Sequence, residues 1–374
     1  MAAISWGIFT VRYRSNATIQ NLNLAFTSIF LTLAFVEGML RFFPTVFGQG
    51  FANGVLNKYH TGAEGIYYFD PRLRMNFMKP NFQTDKMYYF GYTWNHQTDQ
   101  HGFRNFRTVT NAEVVLLGDS LIYGHGVDIK QTVGYFIEAI SGRTVFNLAR
   151  QGDCSLQQAY LLTEYMERFG KPKYVVYFFY EKDIDDLYAY RTDAELQEYI
   201  NTPISEIRYE RQMDPQTAMQ AQGAGNLPSL YNFIKQLYLV RTIHWIRFVR
   251  DQGKGAGPTH VDEQHDPNNA ESIGWRYTKH AIEYMRRLSQ IHGSQFFIAP
   301  LTLTNRKHFE ILKNFAREQS LGFIDTHAID NADKSLFLPV DGHFNEKGAR
   351  LLAQIVVDHL KGAAESVRDS SRKQ

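Results

Sequence analysis

The amino-acid sequence predicts an α/β protein: a three-layer parallel β-sheet with helices on both faces, preceded by one transmembrane helix. Three observations carry that prediction. Short apolar runs of strand length alternate with amphipathic helical stretches between residues 114 and 360. Glycines and polar residues gather just after those runs, where open parallel sheets bind their ligands. Third, residues 22–43 read LNLAFTSIFLTLAFVEGMLRFF, close to the ~20 apolar residues needed to cross a bilayer.

The apolar run sits behind a long leader, residues 1–21, and no small-x-small cleavage site follows it promptly, which favours a retained anchor over a cleaved signal peptide. Glu37 and Arg41 are four apart and can pair on one helical face. Arg12 and Arg14 precede the span, while Arg41 and the more distant Lys58 follow it. That bias leaves residues 1–21 in the cytoplasm and places the rest outside it, in the periplasm of a cell with an envelope.

Residues 44–110 form a lead-in rich in aromatic and turn residues, among them Tyr67, Tyr68, Phe69, Tyr88, Tyr89, Tyr92 and Trp94. It has no long helical period and reads as short strands and loops. Its aromatics either offer a sugar-binding surface or, more commonly, pack. The main domain, residues 111–362, then reads strand 114–117, helix 131–140, strand 144–148, helix 155–169 and strand 174–179. After an insertion of about 190–272 come helix 275–292, strand 295–298, helix 306–319, strand 322–325 and helix 346–360. Residues 363–374 read as a disordered tail.

Within the insertion, residues 229–250 are apolar and carry Lys235, Arg241, Arg247 and Arg250 without an acid. Such a helix lies on anionic lipid or packs over the active-site edge with a basic outer face. Residues 251–272 are rich in Gly, Pro, Asn and charge. His260, Asp262, Glu263 and His265 lack a fixed ligand spacing, so a solvated loop is the reading and no metal is expected.

The chain has 374 residues, 44% of them hydrophobic, enough for a large core. A net charge of +2 argues against a nucleic-acid partner. The lone cysteine, Cys154, excludes an internal disulfide and leaves the redox compartment open. No second motif points a base at it, so it reads as a buried small residue.

The chemistry is concentrated in two places. The run Val114-Val115-Leu116-Leu117 breaks at Gly118-Asp119-Ser120, presenting a serine at a strand end. A serine hydroxyl needs a base to remove its proton and donors to hold the oxyanion. Far downstream, Asp341-Gly342-His343 sets a carboxylate two residues from an imidazole, on a loop opened by Gly342. Asp341 can orient His343 while the other ring nitrogen reaches Ser120, giving a catalytic triad in the order Ser, Asp, His.

These residues resemble a known family, the SGNH (GDSL-type) hydrolases. Gly118-Asp119-Ser120-Leu121-Ile122-Tyr123-Gly124-His125-Gly126-Val127 is similar to block I, Asn147-Leu148-Ala149-Arg150-Gln151-Gly152 to block II, and Asp341-Gly342-His343-Phe344-Asn345-Glu346-Lys347-Gly348 to block V. The stretch from Phe69-Asp70-Pro71 through His101-Gly102-Phe103-Arg104-Asn105 resembles the lead-in of membrane-anchored members. The resemblance implies Ser120 as nucleophile, His343 as base, Asp341 as its partner, and the Ser120 and Gly152 N–H groups as oxyanion donors, with no cofactor.

Block III departs from the pattern. The family offers asparagine followed by aspartate, and here Glu181-Lys182-Asp183 follows the third strand, with Lys182 in the asparagine's place. Lys182 either donates to the oxyanion through its ammonium or points into solvent. Losing one oxyanion donor costs on the order of 10²–10³ in rate.

Two functions follow. One is a membrane-anchored serine esterase or O-acyltransferase acting through an acyl-enzyme on ester groups, acetyl above all, of an envelope or exported glycan or of a small ester. The other is a catalytically weak SGNH-fold protein serving as a binding or assembly partner in a cell-envelope complex.

Overall fold

The computed structural model describes residues 17–372, apart from 63, 108, 187–190, 224–236, 244–245, 248–264, 302–304 and 330–331. The leader 1–16 and most of the Gly- and Asn-rich stretch 251–272, with His260, Asp262 and Glu263, therefore lie outside the described residues. His265 is described, and its Nε2 lies 2.9 Å from an Asp193 carboxylate oxygen.

By packing, the chain divides into two units. One comprises residues 1–57, 89–91 and 226–257; the other comprises 58–88, 92–225 and 258–374.

The first unit is built on helix Ala17–Phe42, followed by a 3₁₀ turn Pro44–Phe47 and helix Gln49–Leu56. Residues Gln20–Phe42 form a helix long and apolar enough to cross a membrane, its most apolar 18-residue window having a mean hydropathy of 1.6. None of its most apolar stretch is buried. Glu37 is the exception to this apolar surface. Its carboxylate accepts the N–H groups of Tyr238 and Leu239, both at 3.0 Å, and Arg41 lies 3.4 Å away. The first N–H groups of a helix have no intrahelical partner, and residues 238–243 are helical. Glu37 therefore caps a second helix, which docks against the apolar one with Tyr238 and Leu239 beside Leu40, Phe51 and Val55. The described part of this basic segment thus packs on the N-terminal helix. A carboxylate embedded in an apolar helix recruits the donors it needs.

The second unit holds the sheet. Its lead-in forms two hairpins: β1 (Tyr67–Asp70) with β2 (Met75–Met78), and β3 (Gln83–Tyr89) with β4 (Tyr92–Gln97). The central sheet contains β5 (Val114–Leu117), β6 (Val145–Asn147), β7 (Tyr174–Tyr180), β8 (Gln295–Leu301) and β9 (Gly322–Phe323), all parallel, in the order β6-β5-β7-β8-β9. β5 and nearly all of β7 are buried on both faces, which explains their unbroken apolar sequences.

Alternate residues serve alternate faces. Val115, Leu117, Val175, Tyr177 and Phe179 share a core with helices Ser155–Arg168, Ile273–Ile291 and Arg306–Glu318. On the other face, Gly134 of helix Val133–Ser141 lies against Leu116, and Phe297 meets His359 of the final helix. That final helix runs Glu346–Arg372, so residues 363–372 are helical where the sequence suggests a disordered tail. They contain no proline or glycine, and extending a formed helix costs far less than nucleating one.

The lead-in and the insertion are tied together. Asp70, fully buried, accepts N–H groups from Arg72 at 2.9 Å and from Met213 at 2.7 Å. The aromatics of the lead-in mostly pack: Tyr68, Tyr88 and Trp94 are buried.

Candidate active site

β5 ends at Leu117, and the chain turns through Gly118 into a single helical turn, Ser120–Tyr123. Asp119 caps that turn by accepting Leu121 N–H at 3.0 Å. The turn is gripped from beside. Gln158, fully buried, accepts the Gly118 N–H at 2.9 Å and donates to the Gly118 carbonyl at 2.6 Å. The same side chain donates to Asp153 at 3.2 Å, and Asp153 takes a two-pronged pair from Arg150 at 2.8 and 2.9 Å. Arg150 then donates to the Asn76 carbonyl of β2 at 2.7 Å. Burial raises the Asp153 carboxyl, and Arg150 opposes that rise. Bidentate, charge-assisted pairing of this kind fixes direction as well as distance.

The histidine loop is clipped at both ends. Phe337 and Phe344 form an antiparallel bridge with their rings 5.4 Å apart. Leu338 N–H donates to the His343 carbonyl at 2.7 Å, and Asn345 N–H to the Leu336 carbonyl at 3.1 Å. Gly342 turns within this clip at φ +73°, a left-handed conformation that a side chain would strain. The Asn345 side chain accepts from Lys347 N–H and Gly348 N–H, so the loop runs directly into the final helix.

These two constructions bring Ser120, His343 and Asp341 together. His343 Nε2 lies 2.7 Å from Ser120 Oγ, and His343 Nδ1 lies 3.0 Å from Asp341 Oδ2. The Nδ1 contact is good in distance but not well aligned, a common state before substrate binds. Asp341 Oδ1 accepts the His343 backbone N–H at 3.2 Å.

Two groups to which the sequence reading gives no role at the site share the Asp341 carboxylate. Tyr92 donates its hydroxyl to Oδ2 at 2.5 Å, and His125 Nε2 lies 3.3 Å from the same oxygen. Burial alone would raise the Asp341 carboxyl, but the polar groups of His125, His343 and Tyr92 gathered around it hold it well below the usual carboxylate range. His125 lies within block I, between Gly124 and Gly126, where a polar residue flanked by glycines just after the nucleophile was the available signal. Tyr92 gave none, because 249 residues separate it from Asp341 and only the fold joins them.

Gly152 follows β6 in a left-handed turn at φ +67°, with open space where a Cβ would stand. Lys182 follows β7 with its side chain exposed, and among the described residues that side chain makes no hydrogen bond or ion pair. Its neighbour Asp183 is buried and accepts the Tyr177 hydroxyl at 2.6 Å and the Tyr180 N–H at 3.3 Å. Cys154 is buried, and burial, reinforced by the Asp183 charge, raises its thiol far above the reactive range. His125, Asp341 and His343 also bring three potential metal ligands within 4.8 Å of one another. A cation there would displace the Nδ1 proton that orients His343 and compete with the Tyr92 hydroxyl, so the donor set suits hydrogen bonding.

A family model described as GDSL-like lipase/acylhydrolase matches residues 114–356. No curated protein matches the sequence. Among solved structures, the chain is similar to a putative lipolytic protein of the G-D-S-L family from Desulfitobacterium hafniense, at 12% identity over 67% of this chain and 99% of that one, with a TM-score of 0.35. It is similar to a putative GDSL-like lipase from Bacteroides uniformis at 12% identity over 67% and 96%, with a TM-score of 0.36. A carbohydrate esterase family 2 enzyme from Corynascus thermopiles aligns at 12% identity over 73% of each chain, with a TM-score of 0.35.

Tyr92→Phe removes the shortest donor to Asp341. A carboxyl held below its unfolded value stabilises the fold above the ordinary carboxylate range, and that stability is lost as pH falls through the folded value. The substitution is expected to cost about 1 kcal/mol at pH 7, below the ~1.5–3 kcal/mol of a buried bond to a charged group because the carboxylate is partly hydrated. The cost should shrink below pH ~4. Urea denaturation across pH measures it, and a cost independent of pH would mean that Tyr92 only packs.

Proposed function

The chain belongs to the GDSL-like lipase/acylhydrolase family, and on that premise we propose that it is a membrane-anchored serine esterase or O-acyltransferase of the SGNH type. Its substrate is an ester, acetyl above all, on an envelope or exported glycan or on a small molecule. The observation that carries the reading is the 2.7 Å approach of His343 Nε2 to Ser120 Oγ, with Asp341 Oδ2 3.0 Å behind the ring.

In this mechanism Ser120 Oγ attacks the ester carbonyl as its proton passes to His343 Nε2. The tetrahedral intermediate collapses when His343 returns that proton to the leaving alcohol, and the acyl group stays on Ser120. A second hydroxyl, deprotonated by His343, then releases it. Water as that acceptor makes an esterase, and a sugar hydroxyl makes a transferase. Asp341 remains ionised throughout and holds the imidazolium. In this reading the Ser120 and Gly152 N–H groups are the oxyanion donors, and Lys182, in the asparagine's place of block III, is the candidate for the third.

The apolar helix Gln20–Phe42 supports the anchor, and the resemblance of the lead-in to anchored relatives supports an envelope substrate. The periplasmic placement rests on the Arg12 and Arg14 bias. The exposure of Lys182 favours the second reading, a catalytically weak member that acts as an assembly partner in an envelope complex.

A fluorophosphonate probe on the detergent-solubilised chain should label Ser120, with turnover of short-chain nitrophenyl esters. Ser120→Ala and His343→Ala should each abolish turnover, and the double variant should lose little more, because triad members act as a unit. Absence of both labelling and turnover in the folded protein supports the assembly role instead.

The anchor predicts that intact protein partitions into detergent and that its amino-terminal peptides survive in the mature chain. Recovery in the aqueous phase, or a mature chain beginning after residue 43, would remove the span.

Lys182→Ala should lower kcat by at least about tenfold with KM moving less, since an oxyanion donor contributes ~2.7–4 kcal/mol in the transition state. Lys182→Asn should keep or raise activity. Unchanged kinetics in Lys182→Ala would make the lysine a solvated surface group.

A further inference from the structure

We propose that His125 is a positioning residue of this site: an imidazole that presents Nε2–H to Asp341 Oδ2 and backs the His343 ring, keeping carboxylate and base aligned on Ser120. The inference rests on the serine-esterase reading and extends it to a residue outside the triad.

The tautomer follows from the partners of Nδ1. The Gln151 side-chain nitrogen lies 2.8 Å from Nδ1, and an amide NH₂ can only donate. The same nitrogen donates to the Tyr59 hydroxyl at 2.9 Å, and that hydroxyl lies 3.0 Å from Nδ1. Nδ1 is thus the acceptor, and the ring proton of a neutral His125 resides on Nε2, which faces Asp341 Oδ2 at 3.3 Å. That contact has the same distance-without-alignment character as the His343 one.

The ring has little freedom. His125 is 2% exposed. Tyr59 stacks on it with centroids 5.4 Å apart, and Trp94 meets it edge-on at 5.1 Å. On its remaining side the His343 ring lies at 4.3 Å, so His125 limits how far the base can swing on that side. The loop beneath is held by Arg104, buried, which donates to the Gly124 and Val127 carbonyls.

Charge matters as much as placement. The ionisable groups facing His125 are Asp341, His343, Arg104, Tyr59, Tyr92 and His96. Burial, with His343 and Arg104 adding to it, pushes His125 down to about 4 against the opposing pull of Asp341. It is therefore uncharged near neutral pH. When His343 takes the serine proton, its nearest ring is a dipole rather than a second cation, so the imidazolium forms without like-charge repulsion.

The test uses the detergent-solubilised full chain and an ester assay that Ser120→Ala abolishes. His125→Phe keeps the ring and its stacking but removes the donor. It should lower kcat by about tenfold or more through misalignment while KM stays within about twofold. It should also move the acid limb of kcat/KM to higher pH, because a carboxylate relieved of one donor holds the His343 imidazolium more tightly. His125→Gln, whose amide can occupy the Nε2 position, should recover most of kcat and return the limb. A His125→Phe protein with unchanged kcat and limb, or a His125→Gln protein as impaired as His125→Phe, would overturn the proposal in favour of plain packing.

Should His125→Phe fail to fold, the long-range ¹H–¹⁵N imidazole spectrum of the unsubstituted protein decides. A neutral His125 with its proton on Nε2 at pH 7 supports the proposal, and the other tautomer or an imidazolium overturns it. Turnover surviving in Ser120→Ala would instead overturn the esterase reading, and the imidazole spectrum is read independently of it.

Discussion

One carboxylate oxygen organises this site. A carboxylate withdrawn from water is costly unless donors replace its hydration, and Oδ2 of Asp341 draws those donors from three separate stretches of chain. Tyr92 comes from the second lead-in hairpin, His125 from the loop after the nucleophile turn, and His343 from the loop of Asp341 itself. The lead-in is therefore part of the site rather than an ornament on the domain. Its Tyr59 and Trp94 enclose His125, and its Tyr92 completes the carboxylate.

The nucleophile is held by the same logic on the other side. Gly118 has no side chain to anchor it, so the turn is fixed through its backbone, with both peptide groups of that residue claimed by the Gln158 amide. Gln158 is in turn fixed by Asp153, and Asp153 by Arg150. A site whose groups stand on strand ends and helices, with their supports buried, holds its geometry better than one on free loops. Burial also makes these polar groups interdependent, since removing one leaves another without a partner in a low-dielectric interior.

The apolar amino-terminal unit meets the same constraint by another route. Glu37 in a helix otherwise suited to lipid accepts the first N–H groups of a second helix. Two costs offset each other there, an unpaired carboxylate and the orphan donors of a helix start. A residue that reads as half of an i, i+4 pair with Arg41 proves to be a docking point as well.

The sequence by itself determined the parallel sheet, the helices that cover it and the strand-end placement of Ser120, Gly152 and Lys182, because strand and helix periods and turn residues are local properties of the chain. It also carried the family, through Gly118-Asp119-Ser120 and Asp341-Gly342-His343. Only the tertiary structure decided the rest. Gln158 reads as an ordinary polar helix residue until its helix is laid beside β5. Tyr92 reads as one aromatic among many until the hairpin folds against a loop 249 residues away. The charge state of His125 depends on burial by Tyr59 and Trp94 and on Arg104, which the chain order keeps far apart. Contacts between segments distant in sequence leave no periodic trace, so the supports of the site emerge only when the chain is folded.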